Sequence, residues 1–189
     1  ERLLQRFEES LGGEQALVEL DEQFALAGGY LSLRDPTLLQ REPEAVFALF
    51  RHWQRLPDCR GLHSATARAL GEALPLIRPF DRWPLEQRRE FLALFKHARA
   101  ADVLARMAQL GVLGRYLPAF GRVSGRMQYD LFHVYTVDQH TLTVLANIAS
   151  FRDEASKQRF SLAFEIWPRL RKPELLLLAG LFHDIAKGR

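Results

Sequence analysis

His183 and Asp184 stand side by side in Leu-Phe-His-Asp-Ile-Ala-Lys. The run before them is almost wholly apolar: Leu175, Leu176, Leu177, Leu178, Ala179, Leu181 and Phe182. A histidine and a carboxylate at the end of a buried helix lose hydration unless they pair or bind a cation. Neutral imidazole and carboxylate together make a good donor set for a divalent metal. Neighbouring helical residues diverge by about 100°, so the two would approach one ion from adjacent faces. The other reading is a His-Asp pair that only caps a helix end.

An earlier stretch supplies further histidines. His133, Val137, His140, Thr141, Val144, Leu145 and Ile148 fall on a single helical face. Both histidines therefore point with the apolar stripe toward the core. Seven residues of helix span roughly 10.5 Å, too far for His133 and His140 to share one ion. At most one is a ligand beside His183 and Asp184, and the other sits further along the cleft. The alternative for each is a core histidine bonded to a backbone carbonyl.

Helical periodicity dominates the elements that must position these groups. Residues 1–22 read as a polar, acidic amphipathic helix interrupted near Gly12-Gly13. Residues 24–33 are the one strand-like stretch, with Gly28-Gly29 as a two-residue hairpin signal. Glu42-Pro43 opens a helix with the apolar stripe Val46, Phe47, Leu49, Phe50 and Trp53. A helix over 64–74 is expected to take Ser64 as its cap. Pro84 starts another, and a further one over 101–110 ends at Gly111. Residues 111–128 hold four glycines and one proline, which makes them the best boundary. A long helix over about 130–150, a shorter one ending near Trp167 and a last one over 174–187 follow. The fold class is mainly all-α: a helical region with a short Gly-Gly hairpin over 1–125, then a second helical unit over 126–189.

Composition sets outer limits. The chain has 189 residues, 48% of them hydrophobic, enough to bury a core and to exclude disorder. Cys59 is the only cysteine, which excludes a disulfide framework and a cysteine zinc cluster. The longest apolar run, 175–182, is far too short for a membrane span. The expectation is a soluble, cytoplasmic protein. The net charge is +3, and all but four of its 26 basic residues are arginine. Residues 1–22 hold two basic and seven acidic residues, so the remainder is mildly basic. That suits a phosphate-bearing partner, but nucleic-acid binding is not expected. The chain opens on Glu1 without Met and ends on Lys187-Gly188-Arg189 directly after an apolar helix, so a piece of a longer protein is expected.

One histidine on a helix, then a His-Asp doublet some 40 residues on, resembles the HD superfamily of metal-dependent phosphohydrolases. The wording of residues 127–142, Met-Gln-Tyr-Asp-Leu-Phe-His-Val-Tyr-Thr-Val-Asp-Gln-His-Thr-Leu, is closer still. It resembles the family of bifunctional uridylyltransferase/uridylyl-removing enzymes that act on the PII nitrogen-signalling protein. So does Leu181-Phe182-His183-Asp184-Ile185-Ala186-Lys187-Gly188-Arg189. Residues 111–121, Asp35-Pro36 and the Pro43-Glu44-Ala45-Val46 helix are similar to the linker of that family.

The resemblance implies a nucleotidyltransferase domain before this chain, a helical linker over 1–125, and the first part of an HD domain over 126–189. It implies glutamine-sensing domains outside the chain. It implies His140, His183 and Asp184 as metal ligands, with Mg²⁺ or Mn²⁺ as cofactor and His183 and Asp184 as catalytic residues. His133 does not match the core pattern and is an auxiliary, phosphate-contacting candidate. Lys187 and Arg189 are candidates to attract the phosphate, or else a basic helix end complementing the dipole. The partner implied is uridylylated PII, whose UMP-tyrosyl phosphodiester would be hydrolysed in nitrogen-assimilation control. A further His and a later Asp of the family's ligand set lie beyond Arg189. The piece is therefore expected to be inactive alone, although the parent is an enzyme. The alternatives are a helical scaffold that docks PII or neighbouring domains, and a part of another HD nucleotide phosphohydrolase.

Overall fold

The computed structural model describes residues 17–125 and 136–185. His133, Lys187, Arg189 and the expected helical stretches over 1–16, 130–135 and 186–187 lie outside them. The described chain is mainly α-helical with one small sheet. It divides into two compact units, Glu1–Arg78 and Pro79–Arg189.

In the first unit, β1 (Leu17–Glu19), β2 (Phe24–Ala27), β3 (Tyr30–Leu33) and β4 (Gly61–Leu62) form a sheet in that order. Gly28 and Gly29 join β2 to β3 with φ of 57° and 83°. A two-residue turn with positive φ at both positions matches the twist of antiparallel strands, and glycine adopts it without a Cβ penalty. The sheet corrects two expectations. Residues 17–19 are not the end of a helix but a strand, paired antiparallel with β2 in the register Val18↔Leu26. β4, too short to show a pattern, runs parallel to β3.

Among the described residues this unit has the α-helices α1 (Leu38–Arg41), α2 (Ala45–Arg55) and α3 (Ser64–Ala73). α2 buries Val46, Phe47, Leu49, Phe50 and Trp53, the stripe its period predicts. Ser64 is the first helical residue rather than the cap. His63 caps α3, its Nδ1 accepting from the Ala65 N–H at 3.3 Å. Thr66 is buried and accepts the Leu33 N–H at 2.9 Å, fixing α3 to the sheet.

The second unit holds α4 (Leu85–Leu94), α5 (Ala100–Gln109), α6 (Val112–Tyr116) and α7 (Pro118–Val123). These are followed by α8 (Val137–Ser150), α9 (Ser161–Ile166) and α10 (Glu174–Phe182). Tyr116 is fully buried among aromatic rings, 4.7 Å from Phe91 and 5.6 Å from Phe80. Burial pushes its phenol pKa up, so it stays neutral. α6 and α7 touch backbone to backbone: a Cβ on Gly121 would lie 2.7 Å from the Gly114 carbonyl oxygen. α5 packs on α8, so residues on both sides of the glycine-rich stretch share one unit.

Candidate metal centre

Two helices carry the cluster, and both are fixed by their own sequence. α8 begins at a capping box: the Thr136 side chain accepts from the N3 backbone, and the Gln139 side chain accepts from the Thr136 N–H. Asp138 adds a second tie, its Oδ1 accepting the Gly125 N–H at 3.1 Å. Val137, Thr141, Leu145 and Ile148 are buried along one face, and His140 sits beside them half-buried.

α10 packs on α8. Leu177, Gly180 and Leu181 are its buried residues. Gly180 lies at the closest approach: a Cβ there would stand 2.7 Å from Ile148 Cδ1 and 3.3 Å from Leu145 Cδ2. The last helix ends sooner than its apolar pattern suggests, at Phe182, with His183 as its C-cap. His183 and Asp184 thus stand just past the final turn, against the side of α8 that bears His140.

His183 Nδ1 lies 2.7 Å from the Gly180 carbonyl oxygen. A carbonyl only accepts, so Nδ1 holds the proton and donates it. That leaves the Nε2 lone pair of the neutral ring facing outward. Nε2 is 3.4 Å from His140 Nε2 and 3.3 Å from Asp184 Oδ2, and the latter two atoms are 3.6 Å apart. Three acceptor-type atoms, drawn from positions 43 residues apart, converge on one point. They repel one another unless positive charge lies among them. A shared proton answers one of the three contacts, whereas a divalent ion answers all three. A point about 2.0–2.1 Å from each corner of this triangle exists, and that is the ordinary bond length from imidazole nitrogen or carboxylate oxygen to small divalent ions. The donor set, two imidazoles and one carboxylate, fits a first-row divalent metal.

Of the residues singled out from the sequence, His140, His183 and Asp184 come together. Asp184 is the most enclosed, with 12% of its side chain exposed. His133, Lys187 and Arg189 lie outside the described residues. Sequence reasoning missed Gly180, which breaks the apolar run. Its spacing of three before His183 is the signal, because a helical residue reaches back to the i−3 carbonyl.

The elements define a mainly α-helical protein whose second unit bears a His/His/Asp cluster of metal-ligand type. Residues 24–116 match the family described as Uridylyltransferase GlnD third domain. Over all 189 residues the chain is 57% identical to the bifunctional uridylyltransferase/uridylyl-removing enzymes of Xanthomonas campestris pv. campestris (strain B100) and Xanthomonas oryzae pv. oryzae (strain MAFF 311018). It is 40% identical to the protein of that name from Legionella pneumophila over 192 aligned positions. The whole chain is covered in each case, and it spans 22% of the length of each relative. The chain is thus homologous throughout to a segment of bifunctional uridylyltransferase/uridylyl-removing enzymes.

Proposed function

We propose that this chain carries part of the uridylyl-removing site of such an enzyme, with His140, His183 and Asp184 holding a divalent ion, Mn²⁺ or Mg²⁺. The single observation that supports it is the convergence of the two Nε2 atoms and the Asp184 carboxylate within one ion's reach. When bound, the ion would lower the pKa of a water and draw charge from a phosphoryl oxygen.

The reaction is hydrolysis of the UMP-tyrosyl phosphodiester of uridylylated PII in nitrogen-assimilation control. A water oxygen attacks phosphorus, the bond from phosphorus to the tyrosyl oxygen breaks, and the leaving phenolate takes up a proton. UMP and the unmodified tyrosyl hydroxyl of PII result. His183 presents its Nε2 lone pair because its Nδ1 carries the ring proton and donates it to the Gly180 carbonyl. Asp184 supplies negative charge beside the two imidazoles. Lys187 and Arg189 are proposed to draw the phosphate, and His133 to contact it. Glutamine control belongs to regions outside this chain, and the setting is the cytoplasm. Among the described residues no helix is long and apolar enough to cross a membrane.

Calorimetric titration with Mn²⁺ tests this, on this chain and on His183→Ala. Saturable binding that the substitution abolishes supports the reading. Absence of binding, or binding indifferent to His183, overturns it.

A further inference from the structure

Six large apolar side chains in the second unit stand exposed within 21 residues: Leu162, Ile166, Leu170, Leu175, Leu176 and Phe182. Leu162 is 68% exposed and Leu175 55%. Scattered apolar residues need no explanation, but a contiguous group marks an interaction site. Their spacing is ordered. Leu175, Ala179 and Phe182 follow one another at i, i+4 and i+7 along α10, all exposed. Leu162 and Ile166 do the same at i and i+4 on α9. Beside them a groove of about 270 Å³ opens, lined by Phe151, Leu162, Ala163, Ile166, Leu170 and Leu176. A ridge at heptad spacing next to an apolar groove is the surface that receives another helix.

Charge narrows the occupant. Arg169, Arg171 and Lys172 flank Leu170 in sequence, and all three are exposed. None has an acidic partner among the described residues. Leu170 lines the groove, and three exposed cations beside it in sequence favour anionic side chains on whatever enters. They also oppose self-pairing, which would bring two such clusters together.

We propose that the face of α9 and α10 docks a partner's amphipathic helix that bears acidic residues beside its apolar stripe. The groove takes an anchor side chain, the α10 ridge packs along the stripe, and the cations pair with the acidic flank. This is independent of the metal reading.

The test uses the 189-residue protein and two fluorescein-labelled synthetic helices with the same leucine stripe, one flanked by glutamate and one by lysine. The glutamate peptide is expected to bind at least about tenfold tighter by anisotropy and to weaken as salt is raised. Arg169→Glu with Arg171→Glu reverses the preference, and Leu162→Asp, at a side chain outside the core, abolishes binding with an unchanged circular dichroism spectrum. Equal binding of the two peptides, or binding of neither, overturns the proposal. So does a dimer by light scattering that Leu175→Asp dissociates, since it assigns the face to a second copy.

Discussion

His140 and His183 bring their Nε2 atoms to 3.4 Å across the contact of two helices, although 43 residues separate them in the chain. His140 is placed by the buried face of α8, and His183 by its own hydrogen bond to Gly180. The approach is a product of helix packing.

The first prediction concerns the ligands. His140→Ala, His183→Ala and Asp184→Asn are each expected to lower Mn²⁺ affinity by more than about 100-fold. His140 and His183 are partly exposed and Asp184→Asn keeps the side chain's shape, so thermal midpoints without metal should move little. Calorimetry and a melt on the same samples separate the two quantities.

The second concerns the spacing of the two helices. Gly180→Val puts a Cβ 2.7 Å from Ile148 Cδ1 and 3.3 Å from Leu145 Cδ2, with two methyl groups beyond it to accommodate. Overpacking of this kind costs about 1–3 kcal/mol and displaces the crowded element. Metal affinity should fall, and pairing the change with Ile148→Ala should restore part of it. Unaltered affinity in the single variant would mean that α10 tolerates the intrusion without moving.

A third contrast sets two glycines against each other. Gly121→Ala drives a methyl group toward the Gly114 carbonyl, a backbone atom, and should lower stability by about 1–3 kcal/mol. Gly71, inside α3, has nothing within 4 Å of where its Cβ would be. Gly71→Ala should therefore raise stability by about 0.5–1 kcal/mol. Urea unfolding of the two variants should shift in opposite directions.

The fourth is a pH effect. Burial works to raise the Asp21 pKa, but the N–H groups of Gln23 and Phe24 and the His52 ring at 2.7 Å outweigh it and hold the carboxyl below its ordinary value. A depressed carboxylate pKa stabilises the fold above the unfolded value and loses that contribution as pH falls through the folded one. Asp21 is 43% exposed, so the contribution stays under about 1 kcal/mol. Asp21→Asn should lower the urea midpoint at neutral pH, and the difference should close as pH falls below the ordinary carboxylate range.

Much of this was legible in the sequence, for identifiable reasons. α2, α5 and α8 carry stripes long enough to declare their period, and their buried residues are the ones that period selects. Gly28-Gly29 announces its turn because only glycine sits freely with positive φ twice running. β1 was not legible, since three exposed residues have no period and owe their form to pairing with β2. β4, with two residues, owes its form to β3. At the cluster, the residue types were visible, but the distance between His140 and His183 depends on how closely α10 approaches α8. That depends in turn on a missing side chain at position 180.

The bond from His183 to the Gly180 carbonyl also ties ion capture to the cohesion of the chain around it. The ring keeps its useful tautomer only while the last turn of α10 stays wound. With an ion held there as proposed, fraying of that turn and loss of the ion would be one event seen from two sides, and by reciprocity whatever occupies the cluster would clamp the helix end. Amide hydrogen exchange at residues 180–184 should slow in proportion to occupancy, which makes the end of α10 a reporter of the site as well as its support.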